Sequence, residues 1–537
     1  MPPTMPSSTS LPRRRTTRRL SLRRLSAWVL ASAQNRIGAS AFVFSFATLH
    51  AVLWTVILIN LKAAQDIHMD VAEAFAWGQK FQLGYGKHPP LAGWVAGVWF
   101  KMFPVTDWAT YLLAMTTVSC GLVICWMIAT RVVDYRRAFL VVVMLAIYPI
   151  FNFKGFKYNP DLLQLVTLPL LVLAYLDAFK KRTALAGVWL GLAAALALMT
   201  KYWVLTMIGA VGLAALVHPE RREFLRSPAP WVAMVTTIVA MIPHLVWLKD
   251  VNFVPLTYAG DVYGHVTRAQ TAGLVLGYVE HNFGLLALPL VAAGFAIAGT
   301  SLLRGSGRWR FWSPGANSSV NLPQVLNIWI IQIVVAVGPP LGALIFSVYM
   351  KTDWGISLFF LTPLALVAIP SLRVPGAALF RIAAIWLVLT LATLAASPYI
   401  AQREISDDPK MAFSHGARSQ LARELTGLWH NRFFTRWSVV AGTTEVGEPM
   451  TFYSPDHPAP LTPGEVWSSG LTSLEEAKRL GFIGVCDTTD TRLPECEAWM
   501  AANGKDAEQV AITTQRFFKG HPGPATTWKI YIMPPAK

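Results

Sequence analysis

The sequence has few charged residues for its length. Only 14% of its 537 residues are Asp, Glu, Lys or Arg, whereas 54% are hydrophobic. A soluble protein is typically about one quarter charged, so this composition excludes an ordinary soluble fold for most of the chain. Apolar runs of about 20 residues recur through position 396, and each can cross a hydrocarbon core of about 30 Å. The composition therefore predicts a polytopic α-helical membrane protein.

Cysteine is also scarce, and the four residues divide into two pairs. Cys120 and Cys125 lie in an apolar run, where the simplest interpretation is that they are small core residues. Cys486 and Cys496 lie near the C-terminus with nine residues between them. A disulfide between them requires that this part of the chain lies outside the cytoplasm, and the sequence alone leaves its formation open.

Acidic residues are absent from the first 36 positions, although this segment carries eight arginines: Arg13, Arg14, Arg15, Arg18, Arg19, Arg23, Arg24 and Arg36. The segment after Ser397 holds 14 basic and 16 acidic residues, so the net charge of +17 comes from the tail and the short loops. Cytoplasmic retention and contact with anionic lipid headgroups explain this distribution better than nucleic-acid binding does. The tail also has the composition of a transit peptide, but the apolar run after it is too long for a signal peptide.

Eleven apolar segments are predicted to span the membrane: 41–62, 107–129, 138–152, 160–179, 184–200, 202–217, 229–248, 272–302, 325–348, 356–371 and 376–396. With the N-terminus inside, the inside loops, including Leu303–Leu322, are short and rich in Lys or Arg, as the positive-inside rule requires. The loops 63–106 and 249–271 and everything after Ser397 then face outward. Segment 90–104 is apolar but short, and it predicts an interfacial helix.

The segment 397–537 differs from the rest of the chain. Three motifs, VVAGTTEVGEPMTFYS, GFIGVCDTT and WKIYIMPP, are typical of short strands separated by turns, and Ser473–Leu480 is typical of a capped helix. Together they predict a small soluble α/β or α+β domain. The predicted organisation is a basic cytoplasmic tail at 1–40, a membrane domain at 41–396 with an outward loop at 63–106, and a soluble outer domain at 397–537.

Two carboxylates, Asp70 and Glu73, follow the first predicted span. Three residues apart on a short helix, they are expected to lie on one face and to reach a common point. A carboxylate at a membrane interface can act as a general base for a hydroxyl group or can hold a divalent metal. The alternative is a solvated loop helix, because a single DxxE pattern is common.

The segment Tyr85–Pro90 combines backbone rigidity with positive charge. Its glycine and prolines restrict the backbone, while Lys87 and His88 offer cationic donors at the depth where a lipid phosphate lies. These residues are therefore candidates for binding a phosphate headgroup. The alternative is an interfacial anchor, in which the lysine snorkels beside aromatic side chains.

Two further ionisable residues are predicted on the same side of the membrane. Asp161 follows Pro160 at the start of the fourth predicted span, where helix capping explains it equally well. Lys201 and Tyr202 separate two short apolar runs. An ionisable residue at membrane depth indicates a functional role by default, and snorkelling is the alternative for Lys201.

The outward turn KTDWG places Lys351 close to Trp354, again a cation beside an aromatic ring. Tryptophan and tyrosine side chains in such loops can stack on sugar rings, although an interfacial aromatic belt also explains most of them. Each of these signals is weak alone. Together they are a stronger indication of a functional site, because all of them lie on one predicted side of the membrane.

The order of these elements resembles that of a known family. An acidic loop after the first span is followed by GYGKHPPLAGW, by Pro-Asp at the start of the fourth span, by Thr-Lys-Tyr between two short spans and by Lys-x-x-Trp in a later turn. This is similar to the polytopic glycosyltransferases of the C superfamily, which use polyprenyl-phosphate sugars. The group includes protein O-mannosyltransferase-like proteins, the aminoarabinose transferase of lipid A and the rhizobial galacturonosyltransferases. The resemblance covers about residues 40–400, and GYGKHPPLAGW is its most specific part.

The resemblance implies an inverting transfer with Asp70 as the catalytic base. Many members have adjacent Asp and Glu where this chain has DVAE, so Glu73 is the candidate for a second catalytic role, and Asp66 is a rival base. The resemblance also implies sites for the donor phosphate, at Lys87, His88 and Lys201, and for the substrate, at Asp161, Tyr85, Tyr202, Lys351 and Trp354. A divalent metal is not required by any cluster in the sequence; Asp70 and Asp161 are the candidate ligands if one binds.

The implied partners are a polyprenyl-phosphate sugar donor, the bilayer, and a glycolipid such as lipid A or lipopolysaccharide, another envelope glycan or a protein as acceptor. The implied location is the bacterial inner membrane, with a cytoplasmic N-terminus and a periplasmic C-terminal domain. Two other functions stay open. A transporter or flippase of a lipid-linked sugar would use the same spans and lysines, although the related halves typical of transporters are not visible. A non-catalytic assembly subunit would use the outer domain to bind partners.

Overall fold

The computed structural model describes residues 36–299, 320–465 and 471–536. Most of the predicted basic tail and most of the predicted inside loop Leu303–Leu322 lie outside the described residues. The described chain forms a large helical part followed by a smaller domain that contains a β-sheet. The predicted fold class, a polytopic α-helical protein with a C-terminal α/β or α+β domain, is confirmed, because the C-terminal domain contains a sheet together with helices.

The helical part contains fifteen described helices, numbered here in chain order: α1 (Arg36–Leu61), α2 (Met69–Gly78), α3 (Leu91–Met102), α4 (Asp107–Val132), α5 (Tyr135–Ile147), α6 (Pro160–Lys181), α7 (Ala184–Leu198), α8 (Leu205–Val217), α9 (Arg221–Leu225), α10 (Pro228–Asp250), α11 (Val254–Tyr263), α12 (Arg268–Ala298), α13 (Leu322–Phe346), α14 (Thr362–Val367) and α15 (Gly376–Glu404). Short 3-10 segments join some of them, at Pro149–Phe151, Phe153–Phe156, Tyr202–Val204 and Thr352–Leu361. Side-chain caps fix several helix starts; Asp134, for example, accepts hydrogen bonds from two backbone N–H groups at the start of α5.

All eleven predicted spans correspond to helical segments, but the count of eleven is not confirmed. Seven helices are long and apolar enough to cross a membrane by length and composition, namely α1, α4, α6, α10, α12, α13 and α15. An eighth span is formed if α5 and the 3-10 segments after it, bent by 80°, are counted together. The other three predicted spans are shorter apolar helices. The last long helix also extends to Glu404, beyond the predicted end of the membrane domain at 396.

The helix α2 lies tightly against α3 because glycines form their contact. A Cβ atom added to Gly78 would lie 2.5 Å from the backbone nitrogen of Gly97, and one added to Gly97 would lie 2.5 Å from the carbonyl oxygen of Gly78. Any side chain at either position would therefore force the two helices apart. This contact fixes the position of α2, the helix that carries Asp70 and Glu73.

The C-terminal domain is built on a five-stranded mixed sheet. It contains α16 (Ala412–His415), α17 (Arg418–Phe433), β1 (Val439–Ala441), α18 (Thr444–Tyr453), β2 (Ala459–Leu461), α19 (Leu474–Leu480), β3 (Phe482–Asp487), α20 (Leu493–Asn503), β4 (Glu508–Thr514), β5 (Phe517–Phe518), β6 (His521–Pro522) and β7 (Thr526–Met533). The strand order is β2-β1-β3-β7-β4; β1 pairs in parallel with β2 and β3, whereas β7 pairs antiparallel with β3 and β4. Strands β5 and β6 form a separate two-stranded ribbon.

Most of the strand predictions in this domain hold, with one correction. The motif VVAGTTEVGEPMTFYS is a strand only over Val439–Ala441, and its remainder forms the helix α18. The predicted capped helix is present, because Ser473 accepts a hydrogen bond from the backbone N–H of Glu476. Cys486 and Cys496 form a disulfide, which the sequence left open.

The C-terminal domain contacts the segment between α1 and α2. Asp66 accepts hydrogen bonds from the Arg516 guanidinium and from the backbone N–H of Ser419. The next backbone N–H, that of Ile67, donates to the Tyr453 hydroxyl at 2.8 Å. The C-terminal domain thus holds the chain immediately before α2, which is the start of the candidate site.

Candidate active site

Asp70 lies in the first turn of α2. His68 caps the start of this helix; its Nδ1 accepts a hydrogen bond from the backbone N–H of Asp70 at 3.2 Å and lies 3.4 Å from the Asp70 Oδ1. The other carboxylate oxygen, Oδ2, accepts a hydrogen bond from the Asn159 amide at 2.8 Å and lies 3.2 Å from the Lys157 ammonium nitrogen. Burial alone would raise the pKa of Asp70, but His68, Lys157 and Asn159 together hold it well below its ordinary value.

Lys157 and Asn159 reach Asp70 because the helical path is interrupted and bends sharply between α5 and α6. Pro149 begins a 3-10 turn there, since proline cannot continue the hydrogen-bonding pattern of α5. The Asn152 side-chain amide then donates to three backbone carbonyl oxygens at the end of α5, at 3.0–3.1 Å. These bonds stabilise the break and direct the following residues, Lys154 to Asn159, towards α2.

Asp161 lies in the first turn of the next helix, α6. Asn159 caps that helix by accepting a hydrogen bond from the backbone N–H of Leu162 at 2.9 Å, so one residue links the start of α6 to Asp70. The Asp161 carboxylate accepts a hydrogen bond from the Lys201 ammonium group at 2.7 Å and one from the Gln164 amide at 3.0 Å. Asp161 is therefore more than a helix cap, because it pairs with the lysine that the sequence places between two short apolar runs.

Lys351 and Trp354 lie beside this pair. The Lys201 ammonium nitrogen lies 5.9 Å from the centre of the Trp354 ring, within cation–π range. Trp354 also contacts Trp203, with ring centroids 4.8 Å apart. Lys351 is exposed to solvent, and among the described residues no carboxylate lies within 4 Å of its ammonium group.

These groups surround one cavity of about 190 Å³, which we call the lysine cavity. It is lined by Asp70, Ile150, Lys154, Phe156, Lys157, Asn159, Asp161, Leu162, Lys351, Asp353, Trp354, Ile356 and Ser357. Lys154 lies 3.5 Å from Asp353, and Lys201 is bonded to Asp161 at its edge. The lining holds three lysines and three aspartates, and Lys201, which is bonded to Asp161, adds a fourth lysine. The whole group therefore carries one net positive charge, which suits a singly charged anion such as a phosphodiester.

Glu73 and Lys87 do not line the lysine cavity. They form an ion pair with each other at 2.7 Å, and their side chains are only 9% and 11% exposed. Burial alone would lower the pKa of Lys87, but Glu73, with Glu448 and Glu465 of the C-terminal domain, raises it above its ordinary value. Asp70 and Glu73 thus bind different lysines, although the negative charge of Asp70 still acts on Glu73. That the two carboxylates reach a common point stays a prediction.

His88, Tyr85 and Tyr202 also lie outside the lining of the lysine cavity. Burial and the nearby positive charge of Lys201 lower the pKa of His88 to about 3, so its imidazole is neutral at physiological pH and lacks the predicted positive charge. Tyr85 donates hydrogen bonds to two backbone carbonyl groups and stacks on Trp77, which is a packing role. The Tyr202 hydroxyl is paired with His244 at 3.1 Å.

Asp66, the rival base, is already occupied. Its two carboxylate oxygens bind Arg516 and the backbone N–H of Ser419, both in the C-terminal domain. A carboxylate paired with a guanidinium is a weak proton acceptor and has little freedom to move. Of the two outward aspartates that the sequence offered as a base, Asp70 is the one that lines the lysine cavity.

Sequence reasoning missed Lys154, Lys157, Asn159 and Asp353 as site residues. A signal for the lysines is nevertheless present, because FKGFK places two positive charges on the predicted outward side, where the positive-inside rule disfavours them. Asn159 was visible only as part of the helix start, Asn159-Pro160-Asp161. Its contact with Asp70 depends on the break after α5, which no local pattern predicted.

A metal at Asp70 and Asp161 stays a prediction. Within residues 36–299, 320–465 and 471–536, no group of three or more His, Cys, Asp or Glu is arranged as a metal site. Each of the two aspartates instead has a lysine ammonium group within salt-bridge distance, Lys157 for Asp70 and Lys201 for Asp161.

Comparison with known proteins places this geometry in context. Residues 87–247 match the sequence model of the dolichyl-phosphate-mannose-protein mannosyltransferase family. The chain is 26% identical over 208 residues to the lipid A galacturonosyltransferase RgtD of Rhizobium johnstonii, a match that covers 36% of this chain and 41% of that protein. The chain thus spans less than half the length of this curated relative.

A solved structure shows the fold over nearly the whole chain. The crystal structure of ArnT from Cupriavidus metallidurans bound to undecaprenyl phosphate has a TM-score of 0.55 with 12% sequence identity, and the match covers 90% of this chain and 98% of that chain. At this identity the likeness shows a shared fold. Together with the family match in sequence, it confirms the resemblance: the chain is similar to the polytopic glycosyltransferases of the C superfamily.

Proposed function

We propose that the protein is an inverting glycosyltransferase that moves one monosaccharide from a polyprenyl-phosphate donor to an envelope glycan, a glycolipid such as lipid A or lipopolysaccharide, or a protein. The observation that carries this proposal is the lysine cavity. It brings Asp70 together with Asp161 and with lysines from three distant parts of the chain. The cavity thus combines a proton acceptor with a site for the phosphate that leaves the sugar.

In the proposed reaction, an acceptor hydroxyl oxygen attacks the anomeric carbon on the face opposite the phosphate. The new carbon–oxygen bond forms as the bond from the carbon to the phosphate oxygen breaks, and the phosphate leaves with the electron pair. Asp70 accepts the hydroxyl proton. Its low pKa keeps it ionised, and the proton becomes far more acidic as the oxygen attacks, so a weak base is sufficient.

The lysines stabilise the leaving phosphate. Lys351 lacks a carboxylate partner within 4 Å among the described residues and is the first candidate to bind it, with Lys201 beside Trp354 as the second. Charge pairing of this kind is strong where water is excluded. Lys87 and His88, which the sequence suggested for this role, are not the first candidates in this proposal. Lys87 is paired with Glu73 and lies near carboxylates of the C-terminal domain, and the His88 imidazole is neutral.

We further propose that the reaction takes place on the periplasmic side of a bacterial inner membrane. The Cys486–Cys496 disulfide supports this side, because disulfides persist in oxidising compartments. The charge pattern of the inside loops supports the same orientation. Labelling of a single cysteine introduced at Asp250, an exposed residue at the end of α10, with a membrane-impermeant reagent tests this orientation.

Sugar transfer from a purified lipid donor tests the function itself. Mass spectrometry of envelope glycolipids from cells with and without the protein first identifies the sugar that is lost. The purified protein in liposomes should then transfer that sugar from its polyprenyl phosphate to an acceptor glycolipid. Movement of the donor across the bilayer with no transfer would instead identify a flippase. If the protein shows neither transfer nor movement of the donor, the assembly-subunit hypothesis is the one that remains. Running the assay with and without a chelator decides whether a metal takes part.

A further inference from the structure

A second cavity lies between the helical part and the C-terminal domain, next to Asp70. Its volume is about 210 Å³, and we call it the interdomain cavity. Its lining includes Lys62, Asp66 and His68 from the segment before α2, and Phe413 and Arg418 from the C-terminal domain. Pockets for drug-sized ligands are typically about 300–1,000 Å³, so this cavity suits a single sugar unit or a small headgroup.

The interdomain cavity touches the lysine cavity at the position of the candidate base. Phe156 lines both cavities, and His68, which lines the interdomain cavity, contacts Asp70, which lines the lysine cavity. Asp70 therefore lies between them. A transferase needs this arrangement, because the donor and the acceptor approach the reacting carbon from opposite faces.

The acidic residues of the interdomain cavity are already neutralised by cations. Asp66 binds the guanidinium of Arg516, and Glu445 binds that of Arg492. Neither Arg516 nor Arg492 lines the cavity. The two carboxylates therefore contribute little negative charge to a ligand that enters it.

In the part of the chain that the structure describes, the basic residues of the same cavity form no direct ion pair with a carboxylate, although several carboxylates lie near enough to act on their charge. Arg418 is 7% exposed, and its Nη1 donates only to the backbone carbonyl groups of Ala412 and Phe413. Among the described residues its Nε has no hydrogen-bond partner, and no carboxylate lies within 4 Å of Arg418 or of Lys62. The Lys62 ammonium nitrogen instead lies 4.6 Å from the centre of the Phe156 ring. A buried guanidinium that has an unsatisfied N–H and no carboxylate in contact is costly, which is a physical reason for an anionic ligand.

We propose that the interdomain cavity is the acceptor subsite and that Arg418, assisted by Lys62, binds an anionic group, a phosphate or a carboxylate, carried by the acceptor sugar. The rings of Phe156 and Phe413 provide apolar faces for that sugar. This inference rests on the proposed function, since it assigns the acceptor to the second face of Asp70. It makes the C-terminal domain the part of the chain that selects the acceptor.

Binding of small anionic sugars to the purified full-length protein tests this inference without any transfer assay. The probes are glucose 6-phosphate, galacturonate and, as the neutral control, glucose, measured by calorimetry. We expect saturable binding of a charged probe that Arg418→Gln weakens at least tenfold and Lys62→Met weakens less. Arg423→Gln is the matched control, because Arg423 is exposed on the same helix, α17, and should leave binding unchanged. Preference for the phosphate or the carboxylate probe identifies the acceptor group.

Equal binding by the wild-type protein and by Arg418→Gln, or equal binding of glucose, would overturn the inference. Arg418→Lys keeps the charge, and its thermal melting compared with Arg418→Gln separates loss of the anion site from misfolding. The inference and the proposed function fail in different experiments. If the protein transfers sugar but binds the probes equally well without Arg418, only the acceptor-subsite inference is rejected. If probe binding depends on Arg418 but the protein transfers no sugar, only the proposed function is rejected.

Discussion

Replacing Asp70 by Asn gives the sharpest test of the proposed mechanism. Asparagine has nearly the same size and can still accept the hydrogen bond from Asn159, but it cannot accept a proton from the acceptor. A general base typically contributes about 10²–10⁴-fold to a rate. At about 1.36 kcal/mol for each factor of ten, this loss corresponds to about 2.7–5.4 kcal/mol of transition-state stabilisation.

The structure also predicts which kinetic constant changes. In the wild-type protein the Asp70 carboxylate lies 3.2 Å from the Lys157 ammonium group. The substitution removes this negative charge and leaves Lys157 free to attract the donor phosphate. We therefore expect kcat to fall by about 10²–10⁴-fold. An unchanged KM for the lipid donor is the pattern of an interaction made only in the transition state, and a decreased KM would show in addition that Lys157 binds the donor more tightly in the ground state.

The assay measures transfer from the polyprenyl-phosphate sugar in liposomes by mass spectrometry, with donor binding measured separately on the same preparation. The matched control is Asp250→Asn, because Asp250 is exposed at the end of α10 and lies outside both cavities. It should retain activity within about twofold, as is usual for surface substitutions. An Asp70→Asn protein that keeps more than a tenth of kcat, or that loses activity only through KM, would refute the assignment of Asp70 as the base.

Four other substitutions test separate parts of the site. Lys351→Met should raise KM for the donor about tenfold or more, because a hydrogen bond to a charged group contributes about 1.5–3 kcal/mol. An unchanged KM would show that Lys351 does not bind the donor phosphate. Lys87→Met should destabilise the fold by about 3–5 kcal/mol, since it leaves buried carboxylates without their cation, and unchanged thermal melting would contradict this. Lys157→Met removes a cation that lowers the pKa of Asp70, so the acidic limb of the rate profile should move to higher pH, and identical limbs would count against the electrostatic argument. Arg516→Met should make the chain near residue 405 more sensitive to limited proteolysis, and equal digestion would show that this ion pair does not hold the C-terminal domain.

The general architecture follows from the sequence because the membrane imposes strong constraints. Long apolar helices are required wherever the backbone crosses lipid, so the helical segments were visible in composition alone. The number of true spans was not, because α7, α8 and the segment Thr352–Val367 are apolar but short. Apolar composition reports burial in lipid or in protein, and it does not distinguish between the two for a helix of fewer than 18 residues.

Half of the candidate site was also predictable. Asp70, Asp161, Lys201, Lys351 and Trp354 were each suggested by an ionisable or aromatic residue at a membrane interface, and the structure brings all five together. The prediction that all five lie on the same side of the membrane followed from the order of the predicted spans. Position relative to the membrane therefore carried more information than any single motif.

The other half depends on contacts between distant segments. Lys87 was expected near the donor phosphate, but it pairs with Glu73 and faces Glu448 and Glu465, which follow it by more than 350 positions. No local pattern shows that a later domain will supply those carboxylates. The same holds for Lys157, whose approach to Asp70 depends on a break in the helical path rather than on spacing.

The C-terminal domain is part of the active site in this interpretation, and its role is to fix the start of α2. The domain binds the Asp66 carboxylate through Arg516 and the Ile67 N–H through Tyr453, and the next residue in the chain is His68. A helix start that is free to fray would let the first-turn carboxylate move away from Lys157, and a misplacement of about 1 Å can cost a hundredfold in rate. The domain that contacts the acceptor would thereby also set the position of the base, so acceptor selection and catalysis share one set of contacts.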